Sequence, residues 1–126
     1  MLTSYFTADS ANTVRYTVAG AHLFDKVQAR IVDVKELAHG PVRLRIDRVF
    51  FALEKDLRGF LCWEDSEESL IFPLQDRGLF DFESSFGGWS NPMRAGATGN
   101  ILLRVIGPVD DLQRHFALKL ELTKQS

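Results

Sequence analysis

The clearest regularity in the chain is a two-residue alternation near its end. Phe116, Leu118, Leu120 and Leu122 fall on one face, and Ala117, Lys119, Glu121 and Thr123 on the other. Successive strand side chains point to opposite faces, so this run predicts a strand with one side in a core. A second alternation sets Val42, Leu44 and Ile46 against Arg43, Arg45 and Asp47, then changes phase and resumes as Val49, Phe51 and Leu53. A slip of one residue in a period of two predicts a β-bulge at Asp47–Arg48. Further strands are expected at 13–19, 59–64, 69–74, 79–83 and 100–107, each bounded by Gly, Pro, Asn, Asp or Ser.

The segment 27–38 fits two patterns. Val27, Ile31, Val34, Leu37 and Ala38 have helical spacing, with Gly40-Pro41 as a stop. The β-branched content of 29–34 favours a strand, and a short connection through Ala38-His39-Gly40 would make a hairpin with the strand beginning at Val42. The longest break in pattern is the 16-residue stretch 84–99, with Gly87, Gly88, Gly96, Gly99 and Pro92. A long loop on a small β domain is uncommon and often functional. Neither an internal repeat nor a low-complexity linker divides the chain. The expected fold is therefore all-β over 1–126: a single-domain antiparallel β-sandwich, jelly-roll-like, of about seven or eight strands, with a barrel as the alternative. Residues 1–12 are left as a candidate flexible N-terminal arm.

Composition narrows the function classes. With 126 residues, 45% hydrophobic and 25% charged, the chain has the make-up of one ordinary globular domain rather than a disordered one. Ten Phe stand against two Tyr and two Trp, and rings without a polar atom are suited to burial. Fifteen Lys+Arg against 17 Asp+Glu give a net charge of -2, which leaves no electrostatic footprint for a nucleic-acid backbone. The single cysteine, Cys62, lies in Gly59-Phe60-Leu61-Cys62-Trp63 and reads as a small buried hydrophobe, so no oxidising compartment is needed. The first residues resemble neither a signal peptide nor a membrane span, so a cytoplasmic or virion location is expected.

Candidate chemistry is sparse. His22, His39 and His115 are scattered, without the close His or carboxylate spacing that a metal site needs. Glu64-Asp65-Ser66-Glu67-Glu68 lacks the spacing of a calcium loop and is explained as a charged hairpin tip, and Asp110-Asp111 as turn chemistry. No nucleophile motif is present, and an enzyme built on Cys62 and His115 would require the fold to bring the two together. Gly87-Gly88 is not followed by the residues of a phosphate loop. No cofactor, metal or catalytic residue is expected. The strongest feature is Phe80, Phe82, Phe86 and Trp89. Either these rings cap the open end of the core with Trp89 folded back as a lid, or Trp89 is exposed to stack on a sugar or anchor a partner. The candidate interaction loop is Phe86, Trp89, Asn91 and Arg94. Arg43, Arg45, Arg48 and Arg104 are expected on outer strand faces, paired with carboxylates.

Read in order, Pro41-Val42-Arg43-Leu44-Arg45-Ile46-Asp47-Arg48-Val49, Leu61-Cys62-Trp63, Phe86-Gly87-Gly88, Asn91-Pro92 and Gly99-Asn100-Ile101-Leu102-Leu103 resemble small phage or prophage virion proteins. The resemblance runs from about Val27 to the last residue. It implies a compact β-sandwich with a Gly-rich loop before the Gly-x-Ile-Leu-Leu strand, and no catalysis. The chain departs from that pattern at Asp110–His115, where a short Gly-Asp turn would precede the last strand, and no binding residues are carried over. The function expected from this is a non-enzymatic structural or assembly protein of a phage-derived particle, with other structural subunits or a homo-oligomer as partners, and neither nucleic acid nor membrane. The alternative is a glycan- or ligand-binding sandwich module that uses the 84–99 loop.

Overall fold

The computed structural model describes residues 2–22, 27–41 and 43–125. Ten strands form two antiparallel sheets: β1 Leu2–Asp9, β2 Thr13–His22, β3 Val27–Val32, β4 Arg43–Leu53, β5 Arg58–Trp63, β6 Leu70–Gln75, β7 Arg77–Asp81, β8 Trp89–Ser90, β9 Ile101–Ile106 and β10 Arg114–Gln125. One sheet has the order β1-β2-β10-β4-β7 with β8 also on β4; the other has the order β3-β9-β5-β6. If β7 and β8 are counted as one interrupted strand beside β4, the eight strands from β2 onward alternate between sheets, except at the β5–β6 hairpin, as two Greek keys. That is jelly-roll topology, with β1 added at one edge. The sheets face each other as a sandwich and do not close into a barrel.

The alternation read from the sequence sets what each face does. Phe116, Leu118, Leu120 and Leu122 of β10 are buried against Leu61, Leu103, Ile101 and Trp63 in a common core with Val14, Tyr16 and Val18 of β2. The phase slip in β4 is a bulge: Arg48 pairs with Glu121 and Ile46 with Leu122, which leaves Asp47 as the extra residue. Its carboxylate accepts from Arg45 Nε at 2.7 Å and Thr123 Oγ1 at 2.6 Å, so the strain of the extra residue is met by a local polar triad. Outward rows cross the six-stranded sheet in register. Thr3, Ala19, Ala117, Ala52 and Arg77 make one, and Thr17, Lys119, Phe50 and Leu79 another.

Four expectations change. The segment 27–38 is strand to Val32 and then a 3-10 turn at Val34–Glu36, capped by the Asp33 carboxylate on Lys35 N–H. It forms no hairpin with β4. The buried Val34 and Leu37 instead carry the chain across to the other sheet, and β3 pairs with β9. Residues 2–9, within the stretch left as an arm, form edge strand β1 on β2, with Thr7 as a bulge residue between Phe6 and Ala8. The strand expected at 79–83 begins at Arg77 and stops at Asp81, where a five-residue helix takes over. β6 and β7 belong to different sheets although Asp76 alone separates them. Its φ of 61° makes the corner, and its carbonyl accepts from Leu53 N–H.

Candidate functional site

The stretch 84–99 is ordered from both ends. Asp81 caps α1, Phe82–Phe86, by accepting from Ser84 N–H at 3.0 Å and from its hydroxyl at 2.8 Å. Gly87, at φ 76°, closes the helix: its N–H reaches the Glu83 carbonyl and that of Gly88 the Phe82 carbonyl. Gly88 is required for close approach, since a Cβ there would lie 2.4 Å from Arg45 Cδ. The chain then pairs Trp89 with Ile46 and Ser90 with Arg45. Asn91 N–H donates to the Leu44 carbonyl, and the Asn91 side-chain oxygen caps Met93 N–H at 2.8 Å.

The far end is held by the acidic turn after β5. The Ala95 carbonyl accepts from Ser66 N–H and the Ser66 hydroxyl, and the Glu64 carbonyl accepts from Thr98 N–H. The Glu64 carboxylate takes bonds from Thr98 Oγ1 at 2.6 Å, Asn100 Nδ2 at 2.7 Å and Arg30 Nη2 at 2.6 Å. Burial pushes the Glu64 carboxyl upward, but these donors outweigh it and hold the group below the usual carboxylate range. Glu68 likewise pairs with Arg104 and Gln28. The acidic tip is thus a clasp over the neighbouring strands β9 and β3 of its own sheet.

The helix stands at the edge where β6 and β7 meet, and a run of rings follows that edge. Phe51 stacks on Phe80 at 5.2 Å, and Phe72 lies 3.9 Å from Phe80 and 5.6 Å from Phe82. Phe82 meets Phe86 at 5.6 Å and the edge of Trp89 at 5.4 Å. Phe82 is buried, while Phe80, Phe72 and Trp89 are half-buried against the core. Phe86 ends the run and is 58% exposed.

The four loop residues therefore do different things. Phe86 is presented outward from the last turn of α1, and Trp89 is folded back onto Phe82 and Phe86. Asn91 is 1% exposed and turned to the backbone, and Arg94 is exposed. Two further exposed side chains lie on the outward face of the same sheet: Leu79 on β7, 51% exposed, and its cross-strand partner Phe50 on β4, 37% exposed. Sequence reasoning passed over both, although the phase of β4 already marks Phe50 as outward, since Val49 and Phe51 face in. Next to this pair Arg48 is bound by Asp81, Glu83 and Glu121 at 3.2–3.5 Å, forming a charged border.

The remaining candidates are placed apart. Cys62 is buried in β5, and burial pushes its thiol up, away from the thiolate that a nucleophile needs. His115 lies on the other sheet, with Nδ1 3.3 Å from Glu54. His22 is buried at the end of β2 and His39 is exposed in a turn at φ 66°. Asp110 caps Leu112 N–H and holds Arg114 at 2.8 Å, as turn chemistry demands. Of the arginines expected in pairs, Arg45 meets Asp47 and Arg104 meets Glu68. Among the described residues, no helix is long and apolar enough to cross a membrane.

No protein-family model and no curated protein sequence matches the chain. Among solved structures, it is similar to a chain in the acidic stable capsid structure of Helicobacter pylori bacteriophage KHP30, at 13% identity and a TM-score of 0.47, covering 100% of this chain and 95% of that one.

Proposed function

We propose that this is a non-enzymatic structural or assembly protein of a phage-derived particle, which docks on a larger assembly through the margin formed by β7 and α1, with Phe86 displayed from the helix and Leu79 and Phe50 on the adjoining outward face of the sheet. The observation that carries the reading is one aromatic edge with its inner rings fixed and its outermost groups exposed. Phe82 and Phe80 hold the helix in place, so Phe86 is displayed without needing to be ordered on contact, which lowers the entropic cost of binding. Aromatic anchors on a rigid base, bordered by paired charges, are the usual make-up of a protein contact. The buried thiol and the separation of Cys62 from His115 favour a contact role over a catalytic one. A sugar platform needs Trp89 open and a polar side chain beside it; with Trp89 folded back and Asn91 turned inward, the docking reading is the better supported.

The test is co-sedimentation of the purified chain with particles produced from the locus that encodes it. The wild type should pellet with the particles, and a Leu79→Glu/Phe86→Ala variant, both changes being at exposed positions, should stay in the supernatant while keeping its far-ultraviolet circular dichroism. Equal pelleting of the two, or no pelleting of the wild type, overturns the proposal.

A further inference from the structure

We infer that β1 is a self-pairing edge, and that two copies of the chain join their six-stranded sheets by antiparallel pairing of residues 2–6 about a two-fold axis at Ser4. The inference rests on the assembly reading above and names one partner, a second copy. Strand edges leave rows of N–H and C=O groups open to another chain, and proteins blunt the edges that must stay single. Of the four sheet edges among the described residues, three are blunted. β6 carries Pro73, which lacks a donor; β3 carries Arg30, held by Asp33 and Glu64; and β7 is five residues long, flanked by Arg77 and Asp81 and followed by α1.

β1 has neither proline nor a cation, and its bulge at Thr7 lies beyond the segment 2–6. Its eight residues, Leu-Thr-Ser-Tyr-Phe-Thr-Ala-Asp, include no Pro, Lys or Arg. The single charge, Asp9, is taken up within the same chain. Its carboxylate accepts from Lys124 Nζ and from Ala38 N–H at 2.9 Å, and Lys124 Nζ also donates to the carbonyls of Ser10 and Ala38. That pin fixes one end of the β1–β2 hairpin on β10, so the edge is held in place before it meets anything. Neutrality matters for self-pairing in particular, because any charge on a strand lying beside its own copy is met by the same charge close by.

The register follows from the backbone. The bulge at Thr7 ends regular pairing with β2, which leaves Leu2–Phe6 as the straight segment. Full overlap of five residues with their antiparallel copy places Ser4 opposite Ser4, Thr3 opposite Tyr5 and Leu2 opposite Phe6. An isologous contact of this kind closes at two chains and does not propagate. The outward row leading to it, Thr3, Ala19, Ala117 and Ala52, holds small side chains, so nothing bulky in it stands across the joined sheet. One short strand pair is a small interface, which puts the dissociation constant at roughly 1–100 μM.

Sedimentation velocity of the full chain from about 5 to 300 μM should show a monomer–dimer equilibrium. Thr3→Lys/Thr7→Lys, at two exposed positions, should raise the dissociation constant at least about tenfold with unchanged circular dichroism. In a Cys62→Ser background, single cysteines oxidised under mild conditions should give most covalent dimer at Ser4→Cys. Thr3→Cys and Tyr5→Cys should give little alone and much when the two variants are mixed. A monomer across the whole range, a dimer untouched by the lysines, or cross-linking without dependence on position overturns the inference. If the chain is monomeric yet its docking depends on Leu79 and Phe86, this inference alone fails. If it dimerises through β1 but ignores particles, the docking reading alone fails.

Discussion

Phe82 and Phe86 are four residues apart on one short helix and touch each other, yet they should respond oppositely to removal. Phe82 is 4% exposed and meets Phe72, Phe80, Phe86 and Trp89 at centroid distances of 5.4–6.1 Å. Phe82→Ala removes a ring from the centre of that cluster. The cost expected of a buried Phe is about 3–5 kcal/mol, the upper part of which applies where the cavity does not collapse. Phe86 covers two-fifths of its surface, so about 80 Å² of apolar area is at stake and its loss costs no more than about 2 kcal/mol. At about 4 °C per kcal/mol for a chain of this length, the midpoints should fall by about 12–20 °C and by no more than about 8 °C. Thermal unfolding followed by circular dichroism, at a chain concentration low enough to keep the protein monomeric, measures both. Particle co-sedimentation of Phe86→Ala should be weakened even though its fold is nearly intact. If Phe86→Ala is as destabilising as Phe82→Ala, Phe86 is part of the core and the division between supporting and displayed rings is refuted.

Three further outcomes follow from the geometry. Asp47→Ala should cost about 2–3 kcal/mol, because Arg45 and Thr123 lose their acceptor at the bulge, and an Asp47/Thr123 double-mutant cycle should return a coupling of about 1 kcal/mol. Glu64, Asp9 and Asp110 all titrate below the usual carboxylate range. For Glu64 and Asp9, burial raises the pKa but is outweighed by donors, Asn100 and Arg30 among them for the first and Ala38 and Lys124 for the second; for Asp110 the Arg114 guanidinium leads. A depressed carboxylate stabilises the fold above its unfolded pKa and ceases to do so as pH falls through its folded one. The urea midpoint should therefore be level above about pH 5 and drop below it, and less steeply in Glu64→Gln; a midpoint rising on acidification would refute the assignment. Cys62, its thiol raised by burial, should react with an aromatic disulfide reagent at pH 8 at least about a hundredfold more slowly in the folded chain than in 8 M urea; equal rates would contradict its burial.

The sequence was most legible where one face of a strand is buried along its length. β10 and the Asp47 bulge could be read because alternation, and a break in it, are written directly in residue type. β1 was not, since Leu-Thr-Ser-Tyr-Phe-Thr-Ala-Asp carries no strict alternation and its place depends on β2. The supposed β3–β4 hairpin failed for a related reason: in a jelly roll the neighbours of a strand are remote in sequence, and the partner of β3 is β9, some seventy residues later. At the candidate site the rings were legible as a cluster, but their division of labour was not. Asp81 and Gly87, an N-cap and a left-handed stop five helical residues apart, did hold the signal for α1. The shortness of the helix hid it behind the strand pattern that runs into it.

The position of β10 between β2 and β4 has a consequence for how the protein is made. The β1–β2 ribbon and the β4–β7 ribbon share no hydrogen-bonded ladder of their own and meet only through β10. Since β9 likewise joins β3 to β5, both layers are completed by strands that follow the partners they join in chain order. Until β9 has emerged in the one layer and β10 in the other, each half-built layer has raw inner margins with their ladders open, in addition to the outer ones of the folded chain. Nascent chains should therefore collapse late and in one step, depend on whatever shields them during synthesis, and tolerate loss of the final strand far less than loss of the first.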